Sequence, residues 1–265
     1  MTILDRIVET KKEEIASAMR AVPESELRAR IADAPWGPRG FEKGLTRPGP
    51  GGVNIIAEVK RASPSKGDIC RDLDAAECAR QYETGGAAAV SVLTDASFFK
   101  GSLDDLRQVR AAVGLPVLRK EFIIHPYQVL ESRAAGADAV LLIARILAPA
   151  QLEDLLDQIH EWRMDALVEI HTPEDYAAAN AAGARLIGIN NRNLATFATD
   201  LNTAMDLAAM LQPGQVPVAA SGIKERRDIE RNLSHGIFNF LIGESLVRAS
   251  DRTGFLRSLL QSPEQ

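Results

Sequence analysis

The chain has 265 residues, 46% hydrophobic and 25% charged, with a formal net charge of -5 and a pI near 5.5. That composition gives a globular chain with ample core, and the length fits one large α/β barrel or two small domains. It lacks the basic stripe of a nucleic-acid binder, no apolar run reaches membrane-spanning length, and an anionic ligand would need a locally basic cleft.

In chain order, residues 2–30 read as helix, with Ile3, Ile7 and Ile15 near helical spacing among many Lys and Glu. Asp5 and Arg6 occupy the place where a signal peptide needs its apolar region, so a cytoplasmic protein is expected. Pro35, Gly37, Pro38, Gly40, Pro48, Gly49, Pro50, Gly51 and Gly52 then mark an irregular segment. Residues 1–52 are read as an N-terminal extension and 53–265 as the barrel proper, together one domain. Trp36 argues that the extension is a lid or plug over one end of the fold and not a mobile tail.

From Asn54 a rhythm begins. Apolar runs at 55–60, 88–93, 116–120, 139–143, 166–170, 186–190, 216–221 and 238–242 alternate with amphipathic stretches of helical length. Pro126, Pro149 and Pro173 sit where helices start, and Gly85-Gly86, Gly136, Gly183 and Gly236 sit where they end. Strict alternation argues a parallel sheet with crossover helices. Eight such units predict an α/β fold of one closed (β/α)8 TIM barrel with an N-terminal helical extension. A doubly wound open sheet is the alternative, but no G-x-G-x-x-G is present. Cys70 and Cys78 are read as free thiols, and His125, His160, His171 and His235 show no metal-ligand spacing, so no metal is expected. His171 is read as a solvated loop histidine, and residues 224–228 as a solvated helix face.

Barrels of this type collect their chemistry at the C-terminal ends of strands. The first strand ends Glu58-Val59-Lys60, and Pro64 then stops it. Side-chain alternation sets Ile56, Glu58 and Lys60 on one face and Ile55, Ala57 and Val59 on the other. The third strand ends in Lys120, the fifth in Glu169 and the sixth in Asn190, followed by Arg192. The seventh and eighth end at Ser221-Gly222 and Gly243-Glu244-Ser245, where exposed backbone N–H groups suit a phosphate. At Glu244 only the backbone can help, since its carboxylate must point away from that anion.

The runs Ile56-Ala57-Glu58-Val59-Lys60-Arg61-Ala62-Ser63-Pro64-Ser65, Leu118-Arg119-Lys120-Glu121-Phe122-Ile123, Leu167-Val168-Glu169-Ile170-His171, Ile187-Gly188-Ile189-Asn190-Asn191-Arg192-Asn193-Leu194 and Ala220-Ser221-Gly222-Ile223 closely resemble the indole-3-glycerol-phosphate synthase family. The resemblance covers nearly the whole chain, including Phe99-Lys100-Gly101-Ser102. It implies a carbon-carbon lyase of tryptophan biosynthesis. The enzyme would close and decarboxylate 1-(o-carboxyphenylamino)-1-deoxyribulose 5-phosphate, without metal or organic cofactor. By resemblance, Lys120 is the acid for ring closure and Glu169 the base for dehydration. Lys60 holds the substrate carboxylate and is a second proton donor, and Glu58 orients the lysines. Asn190 and Arg192 contact the reacting region, and Ser63, Ser221, Gly222, Gly243 and the Glu244 backbone match the phosphate and hydroxyl contacts. Phe99, Phe122, Pro64, Leu141 and Leu194 are candidate walls for the aromatic ring. The partner is a phosphorylated small molecule, with no nucleic acid or membrane. A monomer is expected, weakly associated at most with other enzymes of the pathway. A Schiff-base aldolase or sugar-phosphate isomerase on the same barrel, and a non-catalytic phosphate-binding barrel, are the competing readings.

Overall fold

A computed structural model describes residues 2–193 and 196–261. Parallel strands β1 (Asn54–Val59), β4 (Ala89–Leu93), β5 (Val117–Lys120), β6 (Ala139–Ile143), β7 (Asp165–Ile170), β8 (Leu186–Asn190), β9 (Val216–Ala220) and β10 (Asn239–Ile242) close into one barrel, in sequence order around the ring. The short β2 (Ala62–Ser63) and β3 (Gly67–Asp68) pair antiparallel in the loop after β1. Helices α4 (Ala75–Gly85), α6 (Leu103–Ala112), α7 (Pro126–Ala134), α8 (Pro149–Glu161), α9 (Pro173–Ala181), α10 (Asn202–Ala208), α11 (Arg226–Leu233) and α13 (Arg252–Leu260) connect or follow the strands. Short α5 (Ala96–Phe99) and α12 (Glu244–Arg248) lie in the loops after β4 and β10.

Local chemistry starts and stops these helices as the sequence suggests. Asp74, Ser102, Thr172 and Asp251 cap theirs through side-chain oxygens. Gly86 ends α4 in the left-handed region at φ 97°.

Alternation divides the core in two. Ile55, Ala57, Val59, Val90 and Val92 pack outward against the helices, with Leu106, Val109 and Leu152. Ile56, Leu118, Leu141, Leu167, Leu186, Val218 and Leu241 fill the barrel interior. A residue two or four positions beyond an inward one also faces inward. Glu58, Lys60, Lys120, Glu169 and Asn190 stand at those positions, so the interior packing aims them up the barrel axis.

The extension is built differently from one long helix. α1 (Ile3–Ala21) and α2 (Glu24–Ala32) are separate, because Pro23 has φ/ψ of -63°/153° and sits as the N-cap of α2. The extension reaches both ends of the barrel. α1 lies at the C-terminal mouth, where Ile7 joins the interior core. α2 passes down the side, with Leu27 packed on Tyr127 and Leu130 of α7. α3 (Phe41–Leu45) closes the bottom, burying Phe41 and Leu45 beneath Ile56 and Leu118. Arg39 fixes this plug by donating to the carbonyls of Val113, Leu115 and Arg110 at 2.7, 2.8 and 3.1 Å. Trp36 is half-buried, its indole beside Gly136. Among the described residues, no helix is long and apolar enough to cross a membrane.

Candidate active site

A cavity of about 900 Å³ opens at the C-terminal mouth of the barrel. Glu58, Lys60, Ser63, Phe99, Lys120, Phe122, Glu169, Asn190, Arg192, Ser221, Gly222, Gly243 and Glu244 all line it. The strand ends and the loops that follow them bring these thirteen sequence-predicted site residues to one chamber. Pro64 and Leu141 line it as well, whereas Leu194 lies outside the described residues. Its cations are Lys60, Lys66, Lys120, Arg192, Lys224 and Arg248, and its carboxylates Glu58, Glu121, Glu169, Asp228 and Glu244. Cations outnumber anions there although the chain as a whole carries -5.

Two ion pairs form the centre. Lys60 Nζ is 2.6 Å from Glu58 Oε1, and Lys120 Nζ is 3.4 Å from Glu169 Oε2. Both carboxylate side chains are buried, while both ammoniums keep some exposure toward the cavity. Asn190 Nδ2 donates to Glu169 Oε1 at 3.1 Å, and Asn190 Oδ1 accepts from the Arg192 backbone N–H at 3.0 Å. The amide is thereby held in one orientation, and it holds Glu169 in turn.

The charges tune one another. Burial alone pulls the Lys120 ammonium down, but Glu169 and Glu58 together hold its pKa above the ordinary lysine value of 10.5. Burial alone pushes Glu169 up, but Lys120, His171 and the Asn190 hydrogen bond hold it below 4.5. At neutral pH the site therefore presents a protonated acid beside an ionised base.

His171 differs from its sequence reading. Its side chain is buried, with Nε2 3.4 Å from Glu169 Oε1 and Nδ1 3.7 Å from Asp175 Oδ2. The cause is local: Asp175, in the first turn of α9, accepts the His171 backbone N–H at 2.8 Å and folds the loop back over the base. In the 224–228 segment Lys224, Glu225 and Arg227 are exposed as expected, but Asp228 accepts the Lys224 and Glu225 N–H groups. Those donors at the start of α11 are thus already satisfied.

Two other backbone turns remain for an anion. Ser221 and Gly222 both take positive φ, 69° and 87°, and Asn191 Nδ2 pins the turn through the Ser221 carbonyl at 3.1 Å. For a serine that backbone is strained, and such strain persists only where the surroundings enforce it. Beside it, after the neighbouring strand β10, α12 follows Gly243 with no side-chain cap. Glu244 turns its carboxylate to Arg192 at 3.8 Å and Arg248 at 3.3 Å. Arg192 also donates to Ser65 Oγ at 2.6 Å.

The opposite wall is apolar. Phe99 and Phe122 stand with ring centroids 6.0 Å apart and planes inclined at 40°. Ile3, Leu4 and Ile7 of α1 also line the cavity, as do Phe197, Thr199 and Leu201 of the loop after β8, with Thr199 and Leu201 against Gly222. Sequence reasoning missed these six. The isoleucine spacing marked an apolar stripe on α1 but could not say what that stripe covers.

Residues 4–259 match the family model described as indole-3-glycerol phosphate synthase. A relative of that name from Desulfosudis oleivorans is 58% identical over 259 residues, covering 97% of this chain and 98% of its own length. Another from Syntrophobacter fumaroxidans is 52% identical over 256 residues, covering 97% and 96%. Among solved structures, a thiamine phosphate pyrophosphorylase from Pyrococcus furiosus superposes with a TM-score of 0.60 at 15% identity, over 78% of this chain and 93% of that one. The last likeness is one of barrel fold alone.

Proposed function

The chain belongs to the indole-3-glycerol phosphate synthase family, and we propose how its residues divide that reaction. The substrate is a ketose phosphate carrying an o-carboxyphenylamino group; the products are indole-3-glycerol phosphate, CO₂ and water. The observation that carries the assignment is the convergence of Lys60, Lys120 and Glu169 on one cavity with an anion cradle at one side and aromatic walls at the other.

The phosphate binds the backbone at Ser221–Gly222 and Gly243–Glu244, with Ser63 nearby, and the ring lies against Phe99 and Phe122. Lys60 and Arg192 meet the ring carboxylate. The ring carbon bearing that carboxylate attacks the ketone carbon, and Lys120 protonates the ketone oxygen. The bond to the carboxylate breaks, its electron pair restores aromaticity, and CO₂ leaves. The new hydroxyl then departs as water with a proton from Lys60, while Glu169 removes a proton from the carbon beside the ring nitrogen. Two protons are given and one is taken, so each turnover draws one proton from solvent, which leaves in the water while the new carbon–carbon bond takes the place of CO₂ on the ring. Glu169 stands close enough to Lys120 to return its captured proton directly, across 3.4 Å. Glu58 holds Lys60 in place meanwhile. The enzyme works as a cytoplasmic monomer, associating weakly at most with other enzymes of the pathway.

The Schiff-base alternative fits the electrostatics poorly. An amine that attacks a carbonyl must be neutral, and the two carboxylates around Lys120 hold it charged. The test is conversion of the carboxyphenylamino ketose phosphate to a fluorescent indole product by the purified protein without added metal. No product, or a lysine adduct trapped by borohydride with a ketose phosphate, would overturn the assignment.

A further inference from the structure

Lys11 of α1 belongs to none of the chemistry above, yet its side chain is buried at 3% exposure. Its ammonium touches Glu14 Oε2 at 2.6 Å, Asp95 Oδ2 at 2.7 Å and Glu121 Oε1 at 3.1 Å. The contact with Glu14 is a hydrogen bond, and the other two are ion pairs with side chains that are themselves buried.

The two barrel carboxylates each have a second task. Asp95, just past β4, accepts the backbone N–H groups of Phe98 and Phe99 at 2.6 and 3.0 Å. Glu121, directly after Lys120, accepts the backbone N–H of Phe122 at 2.9 Å and the Thr94 hydroxyl at 2.7 Å. One cation therefore joins the backbone anchors of both phenylalanines of the apolar wall, whose rings stand beside each other at 6.0 Å. The same helix brings Ile3, Leu4 and Ile7 to that wall.

A buried charge cluster is a poor source of stability, since apolar packing of equal volume does as well or better. Its worth lies in geometry: it fixes three separate segments to one point. We propose that Lys11 is a positioning residue that sets the place of the aromatic wall and so the fit of the substrate's ring against it. This rests on the reading that Phe99 and Phe122 hold the ring. Burial opposes the charge on both Lys11 and Glu121, but their mutual attraction, with that of Asp95 and Arg119, holds Lys11 up and Glu121 down, so that pair stays ionised.

The test compares Lys11→Met with wild type in steady-state turnover of the carboxyphenylamino ketose phosphate, with inorganic phosphate as competitive inhibitor. Loosening one wall of a pocket is worth about tenfold, so KM should rise by about that factor, while kcat and the phosphate inhibition constant stay within about twofold. A purely structural role would move all three together or none. Phe122→Ala is measured alongside. Unchanged KM there defeats the ring-wall reading itself. Raised KM in Phe122→Ala with unchanged KM in Lys11→Met defeats the Lys11 proposal alone. Should Lys11→Met not fold, Asp95→Asn keeps the acceptor for Phe98 and Phe99 and weakens one ammonium contact. It should raise KM by about threefold, a fraction of the full pocket effect, and an unchanged KM overturns the proposal equally.

Discussion

On the proposed assignment Gly243 is where the phosphate site meets the acid–base set, and replacing it by alanine tests that junction. A Cβ there would lie 2.3 Å from Glu58 Oε1 and 3.1 Å from Glu58 Cβ. Ordinary contact begins at 3.4 Å, so the Glu58 carboxylate must retreat by 1.1 Å. That carboxylate holds Lys60 at 2.6 Å, and the retreat releases the lysine. Overpacking of this kind costs about 1–3 kcal/mol of stability. A displacement of ~1 Å in a reacting site costs about a hundredfold in rate. The assay is kcat/KM from indole fluorescence for wild type, Gly243→Ala, Glu58→Ala and the double variant. Glu58→Ala removes the carboxylate that the new methyl strikes at 2.3 Å and leaves only the Cβ contact at 3.1 Å. In that background Gly243→Ala should cost less than about fivefold, because the two changes share one contact and do not add. An equal cost in both backgrounds would refute the reasoning, since Gly243 would then act only through the phosphate.

Lys120→Ala and Glu169→Gln should each lower turnover by about two orders of magnitude, the scale of acid–base groups; near-wild-type rates in both would end the role assignment. The Lys120–Glu169 pair also has a pH signature. The raised Lys120 contributes stability in full below 10.5 and loses it as pH climbs through its folded value; the lowered Glu169 contributes in full above 4.5 and loses it as pH falls through its own. Urea unfolding of wild type against a Lys120→Met/Glu169→Gln variant should therefore show a constant difference between those values, and a slope at neutral pH would contradict it. At the other end of the barrel, Arg39→Ala removes a charged donor from three carbonyls and should cost about 3 kcal/mol in unfolding free energy while leaving kcat unchanged. Burial pushes the Cys78 thiol up to about 11, so iodoacetamide at neutral pH should modify only the half-buried Cys70 until the chain is unfolded.

Much of the barrel could be read from local pattern because the pattern is local physics. Each predicted apolar run lies on a strand of the closed sheet, with ends displaced by a residue or two. The interior face followed from the alternation of Ile56, Glu58 and Lys60, since a strand offers only two sides. Pro23 is a lesson in the other direction. It stands inside a helical pattern as a plain breaker, and the two helices on either side of it are the outcome.

What the sequence determined by itself is therefore the order of elements, their inward faces and the residue types at each strand end. Backbone propensity, capping and side-chain alternation act within a few residues and leave their mark there. The tertiary structure alone decided which of those groups touch. It set Glu58 against Gly243, Lys120 against Glu169, and Lys11 between Asp95 and Glu121, and it sent one extension to both ends of the barrel. Those contacts join residues far apart in the chain through burial and charge compensation, and no spacing along the polypeptide encodes them.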